Sequence, residues 1–251
     1  MLQTFKKLVK SVVLRQAPAI EKEAEDAYDL WSENYDDQPD NLMLALDEEL
    51  FTKLLRNIGI KDKQIADIGC GTGRHWQSLL SQFPSKLTGY DVSDGMLNKL
   101  KAKFPQADVK KISDNTLASI EDQFYDIIIS TLTIAHIINL DEAIQSWSRI
   151  LKQKGEIIIT DFHPDALALG AQRTFSHKNQ KISIANYVHS VDKLIQKFAQ
   201  EGFVLISKEE KIIDESVKHI YEKHNALPVY EKFKGVPIIY GLHIRRDYDP
   251  Q

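Results

Sequence analysis

A strand, a tight glycine turn and the start of a helix follow one another within residues 64–80, which read QIADIGCGTGRHWQSLL. The segment Ile65–Ile68 is largely apolar, the turn contains three glycines, and a helix-compatible run begins at His75. Such a turn presents backbone N–H groups and a helix N-terminus to a ligand. We therefore predict an α/β fold that is organised around a ligand site at this turn.

The segments after the turn alternate between strand-like and helix-like patterns. Such alternation indicates a doubly wound parallel sheet with helices on both faces. Two late strands, at 204–213 and 236–245, lack the spacing of a full strand–helix–strand unit, so we expect them to form an antiparallel edge pair. The earlier predicted strands span residues 65–68, 86–90, 108–112, 125–131 and 155–160.

The segments that flank the predicted sheet suggest how the chain is organised. Residues 21–58 show helical periodicity and nothing that resembles a strand, whereas Pro164 begins a long irregular segment that reaches Val188. We expect an N-terminal helical cap or lid at 1–58 and a ligand-binding domain at 59–251, with a substrate-side insertion at about 162–190.

Charge and cysteine content narrow the class of protein. The 251 residues carry a formal net charge of −4, so no overall basic field favours a nucleic-acid partner. The single cysteine, Cys70, excludes an internal disulfide and fits a reducing, cytoplasmic location. No apolar run approaches the length of a membrane span.

The first twenty residues carry basic side chains and no acidic ones, and apolar residues recur among them at helical spacing. A peripheral membrane-surface helix or a transit peptide would have this pattern. We favour an amphipathic helix that packs on its own domain. A secretory signal is disfavoured because Lys10 and Arg15 interrupt the apolar segment.

Polar side chains stand where the predicted strands end, the edge at which doubly wound sheets bind ligands. Asp91 ends the second strand, 18 residues after Gly73, where an acid can bind the ribose hydroxyls of an adenosine. The turn reads G-x-G-x-G followed by Arg74, which is a poor match to a pyrophosphate-binding turn. Asp67 inside the first strand also suits a ligand with an amine better than a phosphate.

Four segments, DIGCGTGRH, LTGYDVSDGML, YDIIISTLTIAHI and ILKQKGEIIITDFHP, occur in this order within residues 64–164. In these segments the chain resembles the class I S-adenosylmethionine-dependent methyltransferases, especially the ubiquinone/menaquinone C-methyltransferase-like group with small-molecule acceptors. The resemblance implies a Rossmann-like seven-stranded sheet of order 3-2-1-4-5-7-6 with the last strand antiparallel. One departure is KQKG, where the family usually has Pro-Gly-Gly before the fifth strand.

The resemblance also implies roles for individual residues. The three glycines would let the backbone approach S-adenosylmethionine, Asp67 would orient its amino group, and Asp91 would hold its ribose. Aromatic residues before the sheet would close a lid over cofactor and substrate, although their spacing also suits the apolar face of a helix. The implied cofactor residues are Asp67, Gly69, Gly71, Gly73, Asp91, Val92, Met96, Asp114, Thr131 and Tyr35, and the implied substrate-side aromatics are Tyr28 and Trp31.

Histidines are the candidates for a catalytic base. His136 and His163 follow neighbouring strands, so we expect both to face the cleft, although His163 could instead fix the loop that Pro164 begins. His189 is a candidate substrate contact or a helix-cap residue. No ligand spacing indicates a metal site. For Arg173 we favour solvation at the surface over recognition of an acidic substrate.

The sequence therefore predicts a cytoplasmic enzyme, monomeric or homodimeric, that transfers a methyl group to a small, partly apolar acceptor by in-line displacement. The alternatives are a non-catalytic module that binds S-adenosylmethionine and regulates a partner, a NAD-dependent oxidoreductase, and an aminopropyl transferase. Neither nucleic acid nor stable membrane insertion is expected.

Overall fold

The fold is given by a computed structural model that describes residues 19–38 and 41–247. In these ranges the strands are β1 (Ile20–Lys22), β2 (Gln64–Ile68), β3 (Lys86–Asp91), β4 (Asp108–Lys111), β5 (Tyr125–Thr131), β6 (Leu151–Phe162), β7 (Thr174–His177), β8 (Gln180–Ile184), β9 (Phe203–Ile212) and β10 (Pro237–Arg246). The helices are α1 (Ala24–Trp31), α2 (Leu42–Leu55), α3 (Trp76–Leu80), α4 (Asp94–Lys103), α5 (Leu140–Ile150), α6 (Pro164–Ala168), α7 (Val191–Gln200), α8 (Lys218–Lys223) and α9 (Leu227–Phe233).

Seven strands form one central sheet in the order β4-β3-β2-β5-β6-β10-β9. The pairs from β4 to β6 are parallel, and β10 runs antiparallel to both β6 and β9. Numbered within this sheet alone, the order is 3-2-1-4-5-7-6 with the last strand antiparallel. The predicted doubly wound, Rossmann-like α/β fold is thereby confirmed.

The central strands are covered on both faces, as near-continuous apolar runs require. Within β5, Ile128 packs with α5 and α7 on one face, whereas its neighbours Ile127 and Ile129 pack with α2, α3 and α4 on the other. All three isoleucines are buried. The alternation of side chains along a strand therefore divides one apolar run between two cores.

A second, three-stranded sheet has the order β1-β8-β7, and it corrects two expectations. Residues 21–58 are not purely helical, because β1 pairs in parallel with β8 through Ile20↔Ile182 and Lys22↔Ile184. The insertion at 162–190 is not irregular, because it contains α6 and the β7–β8 hairpin. A three-residue strand has no period to detect, and its partner lies about 160 residues further along the chain.

The N-terminal expectations are left untested by the structure. Residues 1–18, which contain nearly all of the basic amphipathic segment, lie outside the described residues. Among the residues that are described, no helix has both the length and the apolar character needed to cross a bilayer. The division into a cap at 1–58 and a domain at 59–251 stays a prediction.

Candidate active site

A cavity of about 430 Å³ lies at the carboxyl edge of the central sheet. The ends of the parallel strands form one wall, and α1 with the segment leading into β7 forms the other. Ten of the sequence-predicted site residues line it: Tyr28, Tyr35, Gly69, Gly71, Asp91, Val92, Met96, Asp114, Thr131 and His136. The structure therefore brings most of the predicted cofactor set together with residues of the predicted lid.

The glycine turn leaves room for a ligand at one particular position. Gly71 has a φ of +52°, and a Cβ built on it would meet nothing within 4 Å, so the backbone there faces open space. Gly69 is needed for a different reason, because its Cβ would lie 2.0 Å from Oγ1 of Thr133. Gly73 does not line the cavity, and its Cβ would lie 2.9 Å from Leu100 in α4. The open space at Gly71 therefore fits the close approach of a ligand to the backbone.

Asp91, at the end of β3, is held by the glycine turn. Its Oδ2 accepts a hydrogen bond from the N–H of Gly71 at 2.8 Å, and its Oδ1 accepts one from the N–H of Ser93 at 2.9 Å. Burial outweighs these bonds and raises the pKa of Asp91 to about 6. Each carboxylate oxygen of Asp91 has a further lone pair, so both oxygens can also accept a hydrogen bond from a ligand hydroxyl.

Asp67 lies beside the turn in a smaller cavity of about 30 Å³, which Tyr35 and Thr131 also line. Its Oδ2 accepts a hydrogen bond from Nε1 of Trp76 at 2.8 Å, and burial raises the pKa of Asp67 to about 6. Trp76 itself is a core residue. A carboxylate held in this way can orient an amine of a ligand beside the turn.

His136 and Tyr28 form a hydrogen-bonded pair on the cavity wall. Nδ1 of His136 lies 2.9 Å from the carbonyl oxygen of Ala185, so Nδ1 must carry the ring proton. Nε2 is then the acceptor for the hydroxyl of Tyr28, at 3.0 Å. Burial, followed by the charge of Arg173, lowers the pKa of His136 to about 4. At neutral pH the imidazole is therefore uncharged.

Trp31 and the two other candidate histidines do not line this cavity. Trp31 is buried and stacks on Phe175 of β7 with 4.7 Å between ring centroids. The expectation that His163 faces the cleft is wrong, because its Nδ1 accepts from the N–H of Asp165 at 3.2 Å and caps α6. His189 also lies elsewhere, and its Nε2 donates to the carbonyl of Ile137 at 2.6 Å.

His163 and His189 both border a separate cavity of about 660 Å³ beside α7. For His163 the signal was a position after a strand, which does not determine on which side of the strand end a side chain lies, and for His189 it was a position just before the helix that is now α7. In the part of the chain that the structure describes, no group of three or more His, Cys, Asp or Glu side chains could hold a metal ion.

The expected surface position of Arg173 is also wrong. Its side chain is buried, with 6% of the residue exposed, and it lines the 430 Å³ cavity instead of the surface. Nη2 donates to the hydroxyl of Tyr35 at 2.8 Å. Other wall residues that were not predicted as ligand contacts include Ser113, Asn115, Thr133, Asn139 and Glu142.

Known proteins resemble the chain in sequence and in fold. The sequence model of the family described as "Methyltransferase domain" matches residues 66–159. The ubiquinone/menaquinone biosynthesis C-methyltransferase UbiE of Campylobacter jejuni is 31% identical over 165 residues, which cover 61% of this chain and 68% of that protein. The malonyl-[acyl-carrier protein] O-methyltransferase of Priestia megaterium is 31% identical over 142 residues, covering 56% and 51% of the two chains.

A solved structure of an S-adenosylmethionine-dependent methyltransferase from Mesorhizobium loti has the same fold. Its TM-score is 0.60 at 16% identity, and the match covers 78% of this chain and 97% of that one. The sequence relatives are methyltransferases, and the fold is that of a solved S-adenosylmethionine-dependent methyltransferase. The chain is an enzyme of the class I S-adenosylmethionine-dependent methyltransferase family.

Proposed function

We propose that this enzyme methylates a small-molecule acceptor that binds beneath α1 and the β7–β8 hairpin. The observation that carries the proposal is the single cavity in which Gly71 and Asp91 face Tyr28, His136 and Arg173. A volume of about 430 Å³ is in the range of small-molecule sites, and the relatives are named for steps of ubiquinone and menaquinone biosynthesis or for malonyl-[acyl-carrier protein].

We assign the cofactor to the strand-end wall of the cavity. Asp91 would accept hydrogen bonds from the ribose hydroxyls, Asp67 would orient the amino group, and the backbone at Gly69 and Gly71 would approach the cofactor closely. Thr131 would lie near the methionyl part. Val92, Met96 and Asp114 would surround the adenine, an assignment supported by their positions on the cavity wall.

When bound, S-adenosylmethionine supplies a methyl group that its sulfonium already activates. The remaining work of the protein is to align the acceptor, exclude water and handle any proton that the acceptor loses. The hydroxyl of Tyr28 can accept that proton while it donates its own to Nε2 of His136, which is uncharged and faces it at 3.0 Å. Tyr28 thereby remains neutral, as its burial favours, and the proton rests on His136 only until the product leaves; the pKa of His136, about 4, then returns the proton to solvent.

Replacing Tyr28 by Phe should reduce kcat by about 100-fold or more, because general acid–base groups contribute about 10²–10⁴-fold. The affinity for S-adenosylmethionine should stay within about threefold, because the lost hydroxyl bonds to His136 and not to the strand-end wall. Release of S-adenosylhomocysteine with a metabolite extract measures turnover, and mass spectrometry identifies the methylated product.

The same assay separates the competing functions. Binding of S-adenosylmethionine without acceptor-dependent release of S-adenosylhomocysteine would favour a regulatory binding module. Equal turnover by wild type and the Tyr28→Phe variant would contradict the proton transfer through Tyr28 but not the methyl transfer itself.

Cofactor affinity should rise as the pH increases from 5 to 7. The pKa values of Asp91 and Asp67 are both about 6, and only their ionised forms can accept from every donor of the ligand. Protonation therefore competes with binding below that pH. Calorimetric titrations between pH 5 and 8 measure the effect, and a flat profile for the wild type would contradict the assigned roles.

A further inference from the structure

The guanidinium of Arg173 is a buried cation that forms no salt bridge within the described residues, and the carboxylates of Asp161 and Asp47 act on it only from a longer distance. No carboxylate oxygen in those ranges lies within 4.0 Å of it, and its hydrogen bond to Tyr35 uses one of its five N–H donors. Arginine stays protonated in proteins, so the charge cannot be removed by burial. A buried charge of this kind needs a partner, because its desolvation costs several kcal/mol.

Aromatic rings form the immediate surroundings of this charge. The guanidinium carbon lies 5.4 Å from the ring centroid of Trp31, 5.5 Å from that of Tyr28, 5.8 Å from that of Tyr35 and 5.9 Å from that of Phe162. Ring faces attract a cation and hold it in place. They offer no full negative charge, so they orient the guanidinium without satisfying its remaining donors.

The backbone of Arg173 is held as well. Its carbonyl oxygen accepts from the N–H of Ile184 at 3.1 Å, which ties the residue to β8. A planar guanidinium in a fixed position can donate two parallel hydrogen bonds to one carboxylate. Because Arg173 lines the same cavity as Tyr28 and His136, such a carboxylate would lie beside the proposed proton acceptor.

We propose that Arg173 binds a carboxylate of the methyl acceptor, so that the substrate is a small carboxylic acid with its anionic end under the β7–β8 hairpin. This inference rests on the proposed function and names its substrate class. The cofactor's own carboxylate is the other source of the same chemistry. The acceptor is favoured because Arg173 lies with Tyr28 and His136 on the wall of the larger cavity and does not line the small cavity beside the glycine turn.

Paired probes that differ in charge alone test the proposal. Benzoate against benzamide, and acetate against acetamide, are titrated calorimetrically into protein saturated with S-adenosylhomocysteine. The wild type should bind one carboxylate at least about tenfold more tightly than its amide, because hydrogen bonds between charged groups contribute about 1.5–3 kcal/mol and 1.4 kcal/mol corresponds to tenfold. Arg173→Met should abolish this preference, and Arg173→Lys should restore part of it.

The matched control is Lys178→Met, which removes an exposed cation at the tip of the same hairpin and should keep the preference. Melting curves with bound S-adenosylhomocysteine verify that each variant is folded. A wild type that prefers neither carboxylate overturns the proposal, as does an Arg173→Met variant that retains the preference.

Titration of the cofactor separates the two sources of the carboxylate. S-adenosylmethionine carries one, whereas 5′-methylthioadenosine shares its adenosine and lacks it. Arg173→Met should bind both within about threefold of the wild type. A loss of tenfold or more for S-adenosylmethionine alone would assign the guanidinium to the cofactor and overturn the proposal. Failure of the wild type to bind S-adenosylmethionine would contradict the proposed function itself, and this inference with it.

Discussion

Replacing Asp91 by Asn should weaken the binding of S-adenosylmethionine by about 100-fold or more. The proposed role of this carboxylate is to accept from both ribose hydroxyls while it holds the N–H groups of Gly71 and Ser93. The amide has one accepting oxygen instead of two, and charge-assisted hydrogen bonds contribute about 1.5–3 kcal/mol each, with 1.4 kcal/mol per factor of ten. Calorimetric titration of S-adenosylmethionine measures the loss.

The ligand-free Asp91→Asn variant should melt no lower than the wild type at pH 8. Burial raises the pKa of Asp91 to about 6, so the ionised carboxylate is disfavoured in the folded protein, and its unfavourable contribution grows as the pH rises through 6. Asp94→Asn is the control, because Asp94 is exposed and pairs with Lys111 outside the cavity. Undiminished binding by Asp91→Asn would refute the assigned role.

Replacing Asp47 by Asn should destabilise the fold by about 3–5 kcal/mol, because removal of one partner leaves buried charge without compensation. Asp47, in α2, is fully buried and accepts from Arg74, from His75 at 3.0 Å and from Thr160 of β6. This network fixes α2 to the segment that follows the glycine turn. For a chain of this size the melting temperature should fall by roughly 6–20 °C, as measured by calorimetry.

Glu48→Gln is the matched control for Asp47, since Glu48 contacts the same His75 at 3.1 Å but its side chain is 52% exposed. Loss of the contact between Glu48 and His75 should lower the free energy of unfolding by about 1 kcal/mol or less. Burial lowers the pKa of His75, but the bonds to Asp47 and Glu48 outweigh it and raise the pKa above the ordinary value. Charged His75 therefore stabilises the folded protein at low pH, and this stabilisation is lost as the pH rises through its raised pKa. The difference in melting temperature between wild type and Asp47→Asn should shrink over that pH range. A difference that stays constant would contradict this coupling.

The central sheet and the strand-end wall of the cavity could be predicted because their sequence signals are local. Apolar runs of strand length, such as Tyr125–Thr131, coincide with the observed strand β5. Glycines with positive φ recur at the turn, and Asp91 ends the next strand, so spacing put these residues at one edge of the sheet, whereas their proposed roles toward the cofactor come from the resemblance. In a parallel sheet these short-range patterns determine which strand ends meet.

The three-stranded sheet β1-β8-β7 and the position of Arg173 could not be predicted in the same way. Strand β1 has three residues, and its pairing depends on β8, far away along the chain. One local signal was available, since Asn179 stands in a two-residue gap between the strand-like segments TFSH and QKISI, and asparagine suits the positive φ that the structure shows there. Recognition of that hairpin would have placed Arg173 immediately before a strand instead of within a long irregular segment. The burial of a cation follows only from the rings that gather around it from α1 and β6.

The parallel pairing of β1 with β8 also sets an order of events during synthesis. The central strands β2 to β6 can pair once residue 162 has emerged from the ribosome, whereas Ile20 must wait for Ile182. Contacts between such distant residues carry a large loop-closure entropy and form late. The strand-end wall can therefore assemble on the nascent chain before the segment leading into β7 arrives, so that a chain arrested before that segment would have a cavity without Arg173.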